Sequence, residues 1–443
     1  MLTAIATCLL ALTGVALSLP TIEGKGSKLF LSTGEQFYIK GVAYQLTSDD
    51  PLVDTNQCQL DASLMKTLGA NSIRVYHVDP TADHDGCMSA FSDAGIYAWI
   101  DLDTFSTYII AADPKWTQSM YSAYQKVMDT FQKYDNVAGF FVGNEVLTTG
   151  PNSIAAPYVK AAARDMKAYR DAKGYRPIPV GYSAADIAVL RPNLQNYLAC
   201  GDNSSETVDF YGLNAYEWCG QSSYQQSGYA MLEQNATNYS LPIFFSETGC
   251  NVPEPRTFDD QSAIFGPDMV NTWSGAIIYE WIEETNNYGL ISYGPSVAAT
   301  ATAAGVVDGF TRTGTPTPIT PDFPNLSSQW ATLSPTGISM SAYTPSNSPP
   351  ACPPYTSGVW EVNGNVPLPT LGQTFNAAES ASITAGGSSS ASAASGANST
   401  ASASASASGS SGSGSKSSAS LEKGMAGTMV GLVAAIAALC ILL

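Results

Sequence analysis

The sequence contains few basic residues and no cluster of them. Lysine and arginine number 19 against 37 aspartates and glutamates in 443 residues, which gives a net charge of −18, and no basic run exceeds two residues. A nucleic-acid-binding surface must neutralise phosphates with clustered cations, so we exclude nucleic acid as a partner. The acidic balance is compatible with work outside the cell on an uncharged polymer, because net charge maintains solubility without repelling such a ligand.

Histidine and the common metal-ligand spacings are also scarce. Only His77 and His84 are present, and neither a CxxC nor an HxxxH pattern occurs. Zinc sites use closely spaced cysteine and histidine ligands, so we expect no metal and no other cofactor. Two isolated histidines without a serine or cysteine nucleophile beside them favour structural roles.

Long apolar runs occur at the two ends of the chain. Residues 2–17 are almost wholly apolar and end at the small-x-small sequence 16–18. This run is shorter than a typical transmembrane helix and predicts a cleaved signal peptide over 1–18. Residues 424–443 form a second run behind a polar spacer and the small residues 411–415. That order is typical of a glycosylphosphatidylinositol (GPI) signal, and a tail-anchored transmembrane helix is the alternative.

The GPI signal divides the carboxyl-terminal part of the chain. We predict anchor attachment at about Gly414, with 416–443 as the propeptide that is removed. Residues 375–415 are dominated by serine, alanine, glycine and threonine. Such a tract buries too little apolar area to offset its ordering entropy, which predicts a disordered stalk. The folded region is then a single domain over 19–374.

Cysteines and sequons fit passage through the secretory pathway. Of the eight cysteines, Cys8 lies in the signal and Cys440 in the tail, which leaves six. An even number in a secreted chain indicates disulfides, although sequence alone allows about fifteen pairings. N-x-[ST] sequons predict glycosylation at the surface. They begin at Asn203, Asn235, Asn238, Asn325 and Asn398.

Eight short apolar or alternating runs are separated by segments with helical spacing. The predicted strands cover 37–44, 72–78, 96–102, 137–143, 178–182, 208–214, 243–246 and 276–281. The predicted helices cover 60–68, 88–94, 114–131, 157–172, 184–198 and 260–273. This alternation is typical of a closed parallel (β/α)8 TIM barrel, whose active site lies at the carboxyl ends of the strands. The residues that follow predict a loop-rich extension with small antiparallel strands, packed on the barrel and tied down by Cys352.

Two of the predicted strands end in a glutamate beside a glycine. Glu145 follows Asn144 after the fourth strand, and Glu247 ends the seventh. A charge at the end of a buried strand is costly unless it is paired or used. Retaining glycoside cleavage needs two carboxyl groups about 5–5.5 Å apart, which strands four and seven can provide. We predict Glu145 as the acid/base with a raised pKa and Glu247 as the nucleophile; structural ion pairs at the barrel rim are the alternative.

These glutamates belong to motifs that resemble a known family. The sequence is similar to the fungal GPI-anchored β-1,3-glucanosyltransferases of glycoside hydrolase family 72, without the cysteine-rich module that some members carry. The resemblance rests on 41–45 (GVAYQ), 73–76 (IRVY), 141–145 (FVGNE), 214–219 (NAYEWC), 245–250 (FSETGC), 279–281 (YEW) and 287–290 (NYGL).

The resemblance implies an enzyme that cleaves an internal β-1,3-glucan bond and passes the fragment to another glucan chain. It implies sugar contacts from Gln45, Tyr76, Asp101, Asn144, Tyr216 and Tyr279. Among them, Asn144 is expected to bind the sugar 2-hydroxyl, Tyr76 or Tyr279 to donate to the nucleophile, and Tyr216 to offer a flat face to a glucose ring. The implied disulfides are Cys58 with Cys87, Cys200 with Cys352, and Cys219 with Cys250.

Two other functions stay open at this point. The same glutamates would serve an endo-β-1,3-glucanase, because no motif decides whether water or a second sugar attacks the intermediate. A non-catalytic wall-glucan-binding protein could also keep the barrel. In either case we expect an exported, monomeric protein held at the outer face of the plasma membrane or in the cell wall by a GPI lipid.

Overall fold

The computed structural model describes residues 19–45, 49–364 and 366–373. The predicted signal peptide, stalk and propeptide lie outside these residues, as do Asn398 and Gly414. Within the described ranges, no helix is long and apolar enough to span a bilayer.

A closed barrel of eight parallel strands forms the body of the molecule, which confirms the predicted TIM-barrel fold. A hairpin of β1 (Ile22–Lys25) and β2 (Lys28–Leu31) precedes it. The barrel strands are β3 (Ile39–Ala43), β4 (Ser72–Val75), β5 (Tyr97–Asp101), β6 (Val137–Asn144), β7 (Val180–Ala185), β8 (Tyr211–Asn214), β9 (Ile243–Thr248) and β10 (Trp273–Ile278). Each pairs with the next along the chain, and β10 closes on β3.

Helices surround the barrel. They are α1 (Thr55–Leu68), α2 (Asp85–Ala94), α3 (Gln118–Phe131), α4 (Ala156–Ala172), α5 (Arg191–Ala199), α6 (Tyr229–Ala236) and α7 (Asp260–Ile264), with a 3-10 turn over Pro151–Ala155. Local caps explain the bounds of α1. The Asp54 carboxylate accepts hydrogen bonds from two backbone N–H groups of its first turn, and Gly69 ends it in the left-handed conformation.

Several predicted helix bounds differ from the structure. α3 begins at Gln118 and not at Pro114, because the Thr117 side chain caps it. α5 begins at Arg191, since the preceding alanines belong to β7. The helix predicted over 260–273 ends at Ile264, and Trp273 starts β10. In α1, Leu60 of the predicted leucine stripe is 43% exposed.

An aromatic layer fills the barrel below its carboxyl-terminal edge. The Trp99 ring lies 5.2 Å from Phe210 and 4.9 Å from Phe244, and Phe141 lies 5.0 Å from Phe210. All four side chains are fully buried, and residues of the β1–β2 hairpin pack with them. The interior is therefore closed from the amino-terminal end, as in a packed TIM barrel.

The extension after β10 is more ordered than expected. It contains two small antiparallel pairs, which were predicted, and a helix that was not. The elements are β11 (Ile291–Ser292) with β14 (Thr317–Pro318), β12 (Val306–Val307) with β13 (Phe310–Thr311), and α8 (Asp322–Thr332). Trp330 of α8 is buried and donates to Gln261 Oε1 of α7 at 2.9 Å, so the extension packs on the barrel helices.

Three disulfides join the pairs that the family resemblance implies. Cys58–Cys87 connects α1 to α2, and Cys219–Cys250 connects the loops after β8 and β9. Cys200–Cys352 connects the end of α5 to the extension across 152 residues of sequence. The last of these closes the longest loop of the three.

Removing the Cys200–Cys352 disulfide should destabilise the protein most. For a Cys200→Ser/Cys352→Ser variant we expect the free energy of unfolding to fall by about 2–5 kcal/mol, because the unfolded chain regains the entropy of a long loop. The matched Cys219→Ser/Cys250→Ser variant removes a disulfide whose cysteines are 31 residues apart. Its free energy of unfolding should therefore fall by about 1 kcal/mol less. Urea unfolding measures both, and a smaller loss for the 200–352 pair would contradict the loop-entropy explanation.

Candidate active site

The two predicted catalytic glutamates lie at the carboxyl-terminal edge of the barrel. Glu145 directly follows β6, and Glu247 lies within β9 and is only 4% exposed. Asn214, at the end of β8, pairs with Glu247 in the strand register and also donates from Nδ2 to Glu145 Oε1 at 3.0 Å. The structure thus brings both carboxyl groups into one polar network.

Arg74 of β4 lies at the centre of that network. Its side chain is fully buried, and Nε and Nη2 donate to the two oxygens of Asp101 at 3.2 and 2.9 Å. Nη1 donates to Glu247 Oε1 at 3.3 Å, and Nη2 donates to Asn144 Oδ1 at 2.9 Å. One planar guanidinium therefore connects the ends of β4, β5, β6 and β9, a geometry that lysine cannot reproduce.

Three donors converge on the carboxylate of Glu247. Besides Arg74, the Tyr76 hydroxyl donates to Oε1 at 3.0 Å and the Tyr216 hydroxyl donates to Oε2 at 2.8 Å. The expected Tyr76 contact is present. Tyr216, expected to offer a flat face to a glucose ring, supplies a second hydroxyl that was not predicted. Hydrogen bonds to the charged form favour ionisation.

Glu145 has a different environment. Its carboxyl group accepts from the neutral amide of Asn214, and its backbone N–H donates to Ser183 O of β7 at 2.9 Å. Its φ is +48°, a conformation that costs a non-glycine residue energy and persists where the surroundings enforce it. The turn directs the chain away from the strand immediately after Asn144.

Amide and hydroxyl groups hold Asn144 and Asn214 in place. Asn214 Nδ2 also donates to Asn144 Oδ1 at 3.1 Å, while Asn214 Oδ1 accepts from Ser183 and Ser246, both at 2.8 Å. Ser183 in turn accepts from Arg74 Nη1 at 3.0 Å. These contacts fix both amide orientations, because each oxygen faces donors.

The other predicted sugar-contacting residues border the same edge. Gln45 Oε1 accepts from the backbone N–H of Tyr76 at 3.2 Å. Tyr279 stands edge-on to Tyr216, with ring centroids 6.4 Å apart, and to Tyr288 at 5.5 Å. Asp101 is 2% exposed and engages Arg74 with both oxygens, so its visible role is to position the guanidinium.

Burial raises the pKa of both glutamates. For Glu247 it does so to about 7, against the opposing effects of Arg74, Tyr216 and Tyr76, and with a further contribution from the negative charge of Glu145. For Glu145 burial also dominates, opposed by the Asn214 amide and by Arg74. Three hydrogen-bond donors at Glu247 against one at Glu145 stabilise the charged form of Glu247 more than that of Glu145, in opposition to burial.

Several residues of this network were missed from the sequence. Arg74, Asn214, Ser183 and Ser246 are not among the site residues predicted from the sequence. A signal existed for Arg74, since it lies two residues before Tyr76 within the predicted strand 72–78, where both side chains would share a face. Asn214 carried a weaker one, because it opens the segment that contains Tyr216.

The remaining predicted positions lie away from the glutamates. Asn203 and Asn238 are exposed, whereas Asn235 and Asn325 are half-buried. The Asn325 side chain donates to Arg256 O at 2.8 Å, which engages the nitrogen that a glycan would need. In the described part of the chain, no group of three or more histidines, cysteines or carboxylates is arranged to hold a metal ion.

A protein-family model described as glucanosyltransferase matches residues 12–303. The 1,3-beta-glucanosyltransferase gas2 of Schizosaccharomyces pombe is 42% identical over 384 residues, covering 83% of this chain and 79% of that protein. The 1,3-beta-glucanosyltransferase GAS2 of Saccharomyces cerevisiae is 39% identical over 370 residues, covering 79% of this chain but 63% of the yeast protein.

Solved structures of the same yeast protein are similar. A mutant of Saccharomyces cerevisiae Gas2p in complex with laminaritetraose and laminaripentaose matches with a TM-score of 0.70 and 39% identity, over 79% of this chain and 74% of that one. A complex of that protein with a compound matches with a TM-score of 0.72 and 38% identity, over 83% and 80% of the two chains.

Replacing Arg74 should damage the fold as well as the site. An Arg74→Met variant leaves Asp101 and Glu247 buried without their cation, and we expect a loss of about 3–5 kcal/mol in the free energy of unfolding. Lys115→Met, which removes an ion pair with Asp113 whose side chains are 59% and 71% exposed, should cost less than about 1 kcal/mol. Denaturant unfolding compares them, and equal losses would contradict the role given to Arg74.

The pKa of Glu247 predicts a pH-dependent cost of folding. Because this pKa rises from 4.5 to about 7 on folding, the folded chain takes up a proton between these values. The contribution of Glu247 to the free energy of unfolding is fully present below pH 4.5 and is lost as the pH rises through 7. Relative to Glu247→Gln, the native free energy of unfolding should fall by about 3 kcal/mol between pH 4 and pH 8.

Glu35 provides a control of opposite sign. Hydrogen bonds, first that of the Thr33 side chain, lower the pKa of this exposed carboxyl. The free energy of unfolding of the native protein minus that of the Glu35→Gln variant should therefore rise with pH. Parallel pH curves for the native protein and Glu247→Gln would show that the Glu247 carboxyl does not titrate as described.

Proposed function

The chain belongs to the glucanosyltransferase family, and on that premise we propose that it is a retaining 1,3-β-glucanosyltransferase. It cleaves an internal bond of β-1,3-glucan and transfers the new reducing end to a second glucan chain, which is thereby elongated. The observation that carries the proposal is that Glu247, which is buried, and Glu145, which is half-buried, lie in one network, each with its own set of hydrogen-bond donors.

In the first step, the two carboxyl groups act on opposite sides of the scissile bond. The Glu145 carboxylic acid gives its proton to the glycosidic oxygen as the bond to the anomeric carbon breaks. The Glu247 carboxylate attacks that carbon and forms a covalent glycosyl-enzyme. The leaving fragment departs with the proton as a neutral alcohol, and Glu145 becomes a carboxylate.

In the second step, the roles of Glu145 reverse. Its carboxylate removes the proton from a hydroxyl group of the acceptor glucan, whose oxygen attacks the anomeric carbon and releases Glu247. Two inversions at one carbon retain the β configuration. The three donors around Glu247 suit both steps, because they stabilise the carboxylate before attack and as it is expelled.

Asn144 is assigned to the sugar 2-hydroxyl. Both of its described side-chain contacts, from Arg74 and Asn214, use Oδ1, so Nδ2 is the group that we direct to the substrate. A hydrogen bond to the 2-hydroxyl strengthens in the transition state of glycoside cleavage. Tyr279 and Tyr288 supply aromatic surface at the same edge, on which sugar rings can pack through their C–H groups.

We also propose where the protein works. The chain is exported, loses 1–18, and is held by a GPI lipid near Gly414 at the outer face of the plasma membrane or in the wall, with 375–415 as a stalk. The three disulfides support an oxidising compartment. The exposed Asn203 and Asn238 are the preferred glycan acceptors. We expect a monomer that binds β-1,3-glucan as donor and as acceptor.

A reduced laminari-oligosaccharide distinguishes transfer from hydrolysis. We expect products longer than the substrate, whereas exclusively shorter products would reject the transferase assignment. Glu145→Gln should lower the turnover rate by about 10²–10⁴-fold, the usual contribution of general acid–base catalysis, and Glu247→Gln should abolish the glycosyl-enzyme. Glu254→Gln, an exposed residue on the loop after β9, is the matched control and should keep native rates.

A further inference from the structure

A second buried arginine lies outside the network around Glu145 and Glu247. Arg256 belongs to the loop between β9 and α7 and is 3% exposed. Its Nη1 donates to Tyr279 O and its Nη2 donates to Gly289 O, both at 3.1 Å. Both acceptors lie in residues 279–290, the segment between β10 and β11 that we call the β10 loop. One guanidinium therefore holds the backbone near the two ends of this loop.

The β10 loop carries two of the aromatic rings at the edge of the site. Tyr279 and Tyr288 stand edge-on to each other, and both stand edge-on to Tyr216, with centroids 6.4 and 5.7 Å from it. The Tyr216 hydroxyl donates to Glu247. Arg256 binds the carbonyl of Tyr279 and that of the residue after Tyr288. Both of its contacts with the loop are thus made at the base of a ring.

Helix α8 of the extension fixes Arg256 from the other side. The Asp322 carboxylate accepts from Arg256 Nε at 2.6 Å and from its backbone N–H at 3.3 Å. Asn325 Nδ2 donates to Arg256 O at 2.8 Å, and Gln329 Nε2 donates to Thr257 O at 3.2 Å. These three side chains lie at i, i+3 and i+7, which places them on one face of the helix. That face holds the loop that carries Arg256.

The middle of the β10 loop has a separate attachment. Asn251, on the same loop as Arg256, is 7% exposed and donates from Nδ2 to Asn286 O at 2.8 Å and to Asn287 O at 3.0 Å. These bonds do not involve Arg256. Loss of the guanidinium should therefore release the backbone at Tyr279 while the centre of the loop stays bound.

We propose that Arg256 is a positioning residue, which sets the β10 loop so that Tyr279 and Tyr288 present their rings to the glucan, and that Asp322 of the extension orients it. The inference rests on the proposed function and deepens it. Balancing the charge of Asp322 needs only Nε of the guanidinium, and the two other nitrogens are both spent on the β10 loop. A lysine ammonium is a single point donor and cannot reproduce this fork.

Two variants of Arg256 test the proposal. Arg256→Gln and Arg256→Lys should raise KM for a laminari-oligosaccharide by about three- to tenfold. The value of kcat should stay within about twofold of native, because the rings bind the ground state and the transition state alike. Arg256→Lys keeps a cation beside Asp322, so it decides the question even if Arg256→Gln does not fold. A native KM in Arg256→Lys would overturn the proposal, as would a lower kcat at unchanged KM.

Arg170→Gln is the matched control. Arg170 of α4 is 8% exposed and donates to Ile178 O at 2.7 Å and to Asp209 Oδ2 at 3.2 Å, just before β7 and β8 begin. It is thus another buried arginine with a carbonyl and a carboxylate as partners, at the opposite end of the barrel. We expect a lower unfolding temperature with a native KM. A KM raised as much as in Arg256→Gln would show that lost stability alone explains the effect.

A double-mutant cycle tests whether Arg256 acts through the rings. Tyr288→Ala should itself raise KM, and adding Arg256→Lys should raise it further by clearly less than Arg256→Lys does alone, because one ring is already missing. Independent, multiplicative effects would contradict the positioning role.

Binding measurements separate this proposal from the function on which it rests. Calorimetric titration of Glu145→Gln with laminari-oligosaccharides, with and without Arg256→Lys, needs no turnover. A weaker affinity with Arg256→Lys is expected, and equal affinities would overturn the role of Arg256 alone. If the native enzyme formed no longer products while this difference in affinity persisted, only the transferase assignment would fail.

Discussion

The buried guanidinium of Arg74 is the interaction on which the site depends. A cation in a barrel interior is costly unless charges and hydrogen bonds compensate it, and Arg74 meets Asp101, Glu247, Asn144 and Ser183. These partners come from four different strands. The same contacts that make the buried charge tolerable therefore align the strand ends and place Glu247, so the site is one connected object and not a set of independent side chains.

The hydrophobic core supports this arrangement from below. The Arg74 guanidinium carbon lies 4.3 Å from the centre of the Phe141 ring and 4.4 Å from that of Tyr76. Aromatic faces attract cations, and Phe141 is itself packed against Phe210 in the barrel interior. Core packing thus sets the position of the guanidinium along the barrel axis. A substitution among these rings would therefore displace the glutamates through Arg74.

The sequence predicted the barrel and both glutamates because these leave local signals. Strands of period two alternate with helices, and an apolar run that stops at Glu145 or Glu247 is conspicuous. It did not predict Arg74 or Asn214 as site residues, since their importance comes from contacts between strands distant in the chain. The hydroxyl contact of Tyr216 was not predicted for a related reason: an aromatic residue can be recognised in the sequence, but only the register of β8 against β9 decides that its hydroxyl reaches Glu247.

The aromatic layer and the β1–β2 hairpin close the barrel from the amino-terminal end. A polymer can then approach the glutamates from one side only, and everything that leaves must use the same opening. The departing fragment has to vacate its place before the second glucan can enter it, which imposes a ping-pong order on the proposed reaction. Water enters through the same opening. The rate at which a new glucan chain binds there therefore determines how often the glycosyl-enzyme is hydrolysed.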